Sequence, residues 1–269
     1  VDEALNAHRG IQIPILAFSF SIPGQIDAKN GVIIHSYPFA LKDYHLKDFL
    51  KARYDYPIFI ENDANCAAWL DLHSTLGHDF SSNAVSVVAD FHEESKRNDS
   101  VVGIGAGFGV IIDGNVYHGS HDSAGEFCSI TWNRGNPNQS GLSAELLKKT
   151  IDDREALSEW MVDTFSSLVP FFAIMDFKTV VLHGNPFEDG AWTRKVLEER
   201  VPQFIGVLEK IGCDLVIESK DESVSAKGAA YMYLHYLYSV PGLEDDMSDR
   251  RTWCDIVEFL QFQKEEGRG

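Results

Sequence analysis

The chain has 269 residues, 44% of them hydrophobic, so it is long enough for one large domain or two of ordinary size. Its formal net charge of −18 argues against direct contact with nucleic-acid phosphates, and any DNA contact would need a region upstream of Val1. No run of about 18 apolar residues and no signal peptide is present, so we expect no membrane association. The scattered cysteines predict reduced thiols in the cytoplasm rather than a disulfide framework or a zinc site: Cys66, Cys128, Cys213 and Cys254. Because the first residue is Val1 and not Met, we expect the chain to begin inside a longer protein.

The first part of the chain predicts short strands joined by turns. Residues 15–21 form an apolar run that predicts a buried strand, and a Pro-Gly turn follows over 23–27. A second strand is predicted near 31–35, a short helix over 46–52 and another buried strand over 56–60.

A strand-to-helix corner at residues 61–65 (Glu-Asn-Asp-Ala-Asn) carries the first candidate site residue. Asp63 lies after the predicted strand and before a predicted helix that has Trp69 on its apolar face and ends at Gly77. Ligands bind at this end of the strands in open α/β sheets, and a carboxylate there can accept hydrogen bonds from hydroxyls or take a proton from one. The alternative is that Asp63 only caps the helix.

A glycine-rich strand is predicted next, in a hairpin formed by residues 85–89 and 101–112. The charged loop between these strands, 91–99, is expected to be exposed; whether it reaches a cleft or a partner subunit is open. Gly103, Gly105 and Gly107 alternate, which leaves one face of the strand without side chains. Either a phosphate approaches that face and accepts bonds from backbone N–H groups, or a neighbouring element packs closely against it.

The second half of the chain alternates helices and strands, which indicates an α/β architecture. Helices are predicted over 154–175 (kinked or split at Pro170), 192–210 (interrupted at Pro202), 225–238 and 252–263, and strands over 179–182 and 215–218. Glu126, in the run Ala-Gly-Glu at 124–126, is either a second ligand-facing carboxylate or a salt-bridged edge residue. We place the boundary between a smaller first lobe, 1–82, and a larger second lobe, 83–269.

Taken together, these motifs resemble the ROK family of repressors, open reading frames and sugar kinases. The resemblance covers about residues 14–240 and rests on the motifs at 23–27, 61–65, 103–114 and 124–126, and on those at 180–184 and 226–230. It implies the two-lobed, actin-like ATPase (ribonuclease-H-like) sugar kinase fold, with the N-terminal part of the first lobe truncated and a sugar in the cleft. The first phosphate-binding hairpin of the family would precede residue 1.

The resemblance also implies roles for individual residues. Asn62, Asp63 and Glu126 would bind sugar hydroxyls, Asp63 would be the general base in a kinase, and Ser129 stands where the family has a His that serves both sugar and zinc. The strand with Gly103, Gly105 and Gly107 would follow the phosphates.

Several departures from the family pattern affect the phosphate and zinc sites. Ile104 stands where kinases have a Thr whose hydroxyl holds phosphate, the zinc-binding cysteines are missing from 131–137, and the glycine pair near the adenosine site is reduced to His183-Gly184. The sequence therefore predicts the sugar-sensing domain of a ROK transcriptional regulator, without zinc or catalysis, in a homodimer or tetramer. The alternative is a ROK sugar kinase that uses ATP and Mg²⁺.

Overall fold

The computed structural model describes residues 1–11, 13–73, 83–92, 103–136, 138–218 and 223–238. In chain order its strands are β1 (Phe18–Ile22), β2 (Gln25–Asp27), β3 (Val32–Ser36), β4 (Leu41–Tyr44), β5 (Ile58–Asn62), β6 (Ala84–His92), β7 (Gly103–Ile112), β8 (Asn115–Val116), β9 (Thr179–His183) and β10 (Asp214–Glu218). Its α-helices are α1 (Asp2–Ala7), α2 (Leu46–Lys51), α3 (Asp63–His73), α4 (Ala144–Lys149), α5 (Arg154–Met175), α6 (Gly190–Arg200), α7 (Pro202–Ile211) and α8 (Val224–Tyr238). A short 3₁₀ helix spans Asn185–Phe187.

The first part of the chain forms two small sheets. β1 and β5 pair in parallel, with Phe18 opposite Ile58, while β2, β3 and β4 form an antiparallel sheet. Their shared apolar core is nearly inaccessible to solvent and comprises Ile26, Ile33, Leu50, Ile58 and Ile60. The segment 23–27, predicted as a turn only, therefore contains a strand, and β4 was not predicted.

The second part is built on a five-stranded mixed sheet in the order β10-β9-β6-β7-β8. β6 and β7 form the predicted antiparallel hairpin, with Ala84 opposite Ile111, and β9 and β10 continue the sheet in parallel. Helices α5, α6 and α7 lie over it, and aromatic side chains fill the interface: Phe165, Phe172, Phe177, Phe187 and Phe204. The predicted α/β class is confirmed.

The two helix-interrupting prolines have different outcomes. α5 continues through Pro170, so the helix is not split there; Leu168 and Phe172 on either side of the proline are buried in the core and hold both halves in place. Pro202 does separate α6 from α7, as predicted, because it occupies the first position of a new helix, where the missing N–H is not needed.

Helix α8 returns to the first part of the chain and packs against α3 and β1. α3 itself contacts β6 and β7 of the large sheet, so it lies between the two parts. The boundary near residue 82 stays a prediction. The predicted helix end at Gly77, most of the 91–99 loop and the predicted helix over 252–263 lie outside the described residues, and within those residues no helix could span a membrane.

Candidate functional site

A cavity of about 340 Å³ lies where the β5–α3 corner, β7 and the segment 122–139 meet. This volume falls within the range that is typical of small-molecule sites. Asn62, Asp63 and Glu126 all line it, and Gly105 and Gly107 form part of its wall. The structure thus brings together three side chains that lie more than 60 positions apart in sequence.

Asn62, and not Asp63, caps helix α3. The Oδ1 atom of Asn62 accepts hydrogen bonds from the backbone N–H groups of Ala64 (2.9 Å) and Asn65 (3.1 Å), and its Nδ2 donates to the carbonyl of Gly24 (2.8 Å). Asp63 is the first helical residue and accepts only from the neighbouring Ala64 N–H, at 3.0 Å. The capping alternative for Asp63 is therefore wrong, and its carboxyl group faces the cavity.

The Asp63 carboxyl is electrostatically unusual. Burial raises its pKa from 3.8 to about 6, and the nearby charges of Asp90 and Glu126 raise it further, against the lowering effect of the Ala64 N–H. A carboxyl with this pKa is ionised at neutral pH yet close to its titration point. It is suited both to accepting hydrogen bonds from hydroxyls and to taking a proton.

Glu126 reaches the cavity because Gly125 lets its segment lie against β7. Gly125 has φ of +84°, and a Cβ atom there would come within 1.7 Å of the carbonyl oxygen of Phe108. Burial raises the pKa of the Glu126 carboxyl, and the charge of His35 partly offsets the increase. The Nε2 of Gln25 donates to the carbonyl of His121 and the hydroxyl of Ser123, which ties this segment to β2.

A buried pair that the sequence did not reveal supports this arrangement. Glu61 is fully buried, and its carboxylate accepts from the N–H of Asn62 (2.7 Å) and the Nδ2 of Asn65 (3.1 Å). Its second oxygen lies 2.7 Å from the Nε2 of His118, whose carbonyl accepts from the N–H of Ala124. The His118–Glu61 pair thus links the corner with Asp63 to the segment with Glu126.

The bare face of the glycine strand is occupied largely by protein. A Cβ atom at Gly107 would lie 3.0 Å from the Cβ of Ala64, and one at Gly109 would lie 2.2 Å from its carbonyl oxygen. Gly103 does not line the cavity, and a Cβ there would lie 2.4 Å from the carbonyl of Leu147. Close packing, the second of the two alternatives, therefore explains Gly107, Gly109 and Gly103, whereas Gly105 and Gly107 also border the cavity.

Gln139, which was also missed, occupies the edge of the same strand. Its Oε1 accepts from the N–H of Ala106 (2.9 Å), and its Nε2 donates to the carbonyl of Ala106 (2.7 Å). The side-chain amide thereby pairs with the strand as a neighbouring backbone would. The N–H group of Ala106 is already satisfied and is not open to a phosphate oxygen.

The structure does not bring Ser129 to the cavity. Ser129 is 5% exposed, and its hydroxyl donates to the carboxylate of Asp163 at 2.7 Å. The hydroxyls of Thr131 and Ser140 donate to the same carboxylate. These oxygen donors are satisfied by one another and do not resemble the thiolate and imidazole set that binds zinc, and no cluster of three or more metal-binding side chains occurs within the described part of the chain.

Known proteins that resemble this chain include both enzymes and regulators. It is 28% identical over 131 residues to a glucokinase of Halalkalibacterium halodurans and, over the same length, to a putative xylose repressor of a Caldicellulosiruptor species. Each alignment covers 49% of this chain but only 36% and 29% of those proteins, so the chain spans about a third of their length.

Solved structures show the same fold at low sequence identity. The ROK hexokinase of Thermus thermophilus superposes with a TM-score of 0.64 at 20% identity, covering 88% of this chain and 85% of that one. A ROK family transcriptional regulator, a homolog of the E. coli MLC protein, gives 0.63 at 12% identity, covering 96% and 69%. The predicted actin-like ATPase fold of the ROK sugar kinases is confirmed. The profile of the ROK family matches residues 6–141, just over half of the sequence, and the chain belongs to the ROK family.

Proposed function

We propose that this chain is the sugar-sensing effector domain of a ROK-type transcriptional regulator and binds a monosaccharide in the cavity without phosphoryl transfer. One contrast within the cavity carries the proposal. Asp63 and Glu126 face the cavity on the sugar side, whereas Gln139 holds the Ala106 N–H on the strand that would follow the phosphates.

Phosphoryl transfer depends on preorganised donors that hold the γ-phosphate and stabilise its developing charge. Ile104 supplies no hydroxyl on this strand, and the nearest outward N–H is engaged by a side chain. Loss of one such donor typically lowers a rate about a hundredfold to a thousandfold. A binding protein has no such requirement, because sensing needs only different affinities for two conformations.

The regulator part of the proposal concerns the whole protein. Sugar contacts from both parts of the chain would change their closure and thereby the spacing of paired DNA-binding heads in a dimer or tetramer. The net charge of −18 assigns DNA contact to a domain upstream of Val1. A cytoplasmic location belongs to the same proposal.

Calorimetric titration of the protein with a panel of sugars tests sugar binding. The panel follows the relatives: glucose, xylose, N-acetylglucosamine and N-acetylmannosamine. We expect at least one sugar to bind with 1:1 stoichiometry, and Asp63→Asn and Glu126→Gln each to weaken it at least tenfold, which is about 1.4 kcal/mol. Asp48→Asn, an exposed carboxylate on α2, is the matched control and should bind normally. If no sugar binds, the sensor proposal is wrong.

A second candidate function is an ATP-dependent sugar kinase. The pKa of about 6 at Asp63 favours it, since a general base works best when its pKa lies near the operating pH. A coupled ADP-release assay with Mg²⁺-ATP and the sugars that bind separates the two candidates. Turnover that is lost in Asp63→Asn would establish the kinase and exclude a purely sensory role.

A further inference from the structure

The cavity is lined by carboxyl groups from three different segments of the chain. Asp63 lies on α3, Asp90 on β6, and Asp122 and Glu126 on the loop after β8. Burial raises the pKa of Asp63, Asp122 and Glu126, so each carboxyl has lost part of its hydration. Asp63 also experiences the charges of Asp90 and Glu126, which places these groups within one electrostatic site.

Among the described lining residues no Lys or Arg faces these carboxylates. The one titratable base in the lining is His92, whose ring lies over Gly105. Burial lowers the pKa of His92, so its imidazole is neutral at pH 7. The lining therefore holds several negative charges and no compensating positive charge.

The hydrogen-bonding groups of the lining show the same bias. The free oxygens of Asp63 and Glu126 accept hydrogen bonds, while the Ala106 N–H, a donor that an anionic ligand would need, is paired with Gln139. An ammonium group has three donors and no acceptor, which matches this lining. A phosphate group has the opposite character and would be repelled.

We infer that the cavity selects a sugar with a free amino group over the corresponding neutral sugar, and excludes phosphorylated sugars. This inference rests on the proposed sugar site and names the chemical class of its ligand. The amine would lie between the Asp63 and Glu126 carboxylates, and the remaining hydroxyls would bond to the polar lining.

Paired ligands of equal size test the inference by calorimetry at pH 7. Glucosamine is compared with glucose and mannosamine with mannose, and each with its N-acetyl and 6-phosphate derivatives. At this pH the amine is largely protonated, by analogy with α-amino groups of pKa about 7.7–8.0, and Asp63 is ionised. We expect the amino sugar of one pair to bind at least tenfold tighter than its neutral partner, and the 6-phosphates to bind at least tenfold more weakly.

Variants and salt identify the source of any preference. In Glu126→Gln and in Asp63→Asn the advantage of the amine should fall to less than threefold, and in Asp48→Asn it should persist. Raising NaCl from 20 to 500 mM should reduce the advantage, because salt screens charge–charge attraction but hardly affects hydroxyl contacts.

Different failures lead to different conclusions. If neutral sugars bind as tightly as their amines, or if a 6-phosphate binds comparably, the inference is wrong while the proposed sugar site stands. If the preference persists in both Glu126→Gln and Asp63→Asn, the ammonium is bound elsewhere and the inference is again wrong. If no sugar of the panel binds, both are wrong.

Discussion

Three consecutive side chains at the end of β5 have different roles. Glu61 turns inward to a buried network, Asn62 caps α3, and Asp63 is left with a carboxyl group that faces the cavity. Because the cap is supplied by its neighbour, Asp63 is not required for the start of the helix. A residue with no structural role and a costly environment is typical of a site kept for function.

The cost can be measured as a pH-dependent gain of stability in Asp63→Asn. The folded pKa of about 6 lies above the unfolded value of 3.8, so the folded state binds the proton more tightly and wild-type stability falls as pH rises between these values. The asparagine variant lacks this titration. Its stability relative to wild type should therefore increase by about 2 kcal/mol between pH 4.5 and pH 7.5, as determined by urea unfolding.

Other titrating groups cancel in this comparison, because both proteins contain them. Asp48→Asn is the control, since an exposed carboxylate should give the same difference at both pH values. A stability difference for Asp63→Asn that does not change with pH would mean that the pKa of Asp63 is not raised.

His118 is predicted to position the site without touching the ligand. In His118→Ala the Glu61 carboxylate keeps two donors but loses the third, at 2.7 Å, which should cost about 1–3 kcal/mol of stability. Sugar affinity should fall at least tenfold, because the segment with Glu126 loses its link to the corner with Asp63.

His118→Gln separates positioning from stability, since glutamine restores an N–H donor of similar reach. We expect sugar affinity in this variant to recover to within about threefold of wild type in calorimetry, while part of the stability loss remains. If affinity in His118→Ala is normal, the pair has a structural role only.

Sequence reasoning identified the site residues whose local pattern is distinctive and missed those that depend on distant partners. Asp63 follows a recognisable strand and Glu126 a recognisable Ala-Gly-Glu run. His118 and Gln139 carry no local signal, because their partners, Glu61 and Ala106, lie 57 and 33 positions away. Ser129 was placed by its alignment with a family ligand, but its hydroxyl is taken up by Asp163.

Among the elements, the sequence predicted the long buried strands and helices well and the short exposed ones poorly. β2 has only three residues and follows a Pro-Gly turn signal, and β4, Leu-Lys-Asp-Tyr, has two exposed charged residues in its centre. Both exist because they pair with β3, and such pairing leaves little trace in the local pattern. Tertiary packing likewise decided whether a proline interrupted a helix.

The close approach of α8 to α3 leads to a prediction about two helical glycines. A Cβ atom at Gly228 would lie 1.6 Å from the carbonyl oxygen of Cys66, so Gly228→Ala must push the helices apart. We expect a loss of at least about 2 kcal/mol in the free energy of unfolding. Gly206→Ala on α7 is the matched control, as nothing lies within 4 Å of a Cβ there, and it should gain about 0.5–1 kcal/mol from helix propensity.

Urea unfolding of both variants distinguishes packing from propensity. If Gly228→Ala were as stable as wild type, α8 would not approach α3 in solution as it does here. Since α8 also packs against β1, its displacement should weaken sugar binding indirectly, although none of its residues lines the cavity.

At the scale of the whole molecule, the cavity belongs to neither part of the chain alone. The β5–α3 corner provides Asn62 and Asp63, and the large sheet with its following loop provides Gly105 and Glu126. A ligand that contacts both sides binds most tightly when they are close together, so it favours the closed arrangement by as much as its affinities for the two arrangements differ. A sensor of this construction has a direct route from binding to shape.

We therefore predict that a bound sugar makes the molecule more compact as well as more stable. At a free sugar concentration 100 times the Kd, the free energy of unfolding should rise by about 2.7 kcal/mol through mass action alone. Closure is a separate effect, visible as a smaller radius of gyration in small-angle X-ray scattering. Glu126→Gln at the same sugar concentration should show neither change, because its site is mostly empty. If calorimetry shows binding and unfolding shows stabilisation while the scattering curves with and without sugar coincide, the sugar binds to a site that does not close, and the signal to any attached domain must take another route.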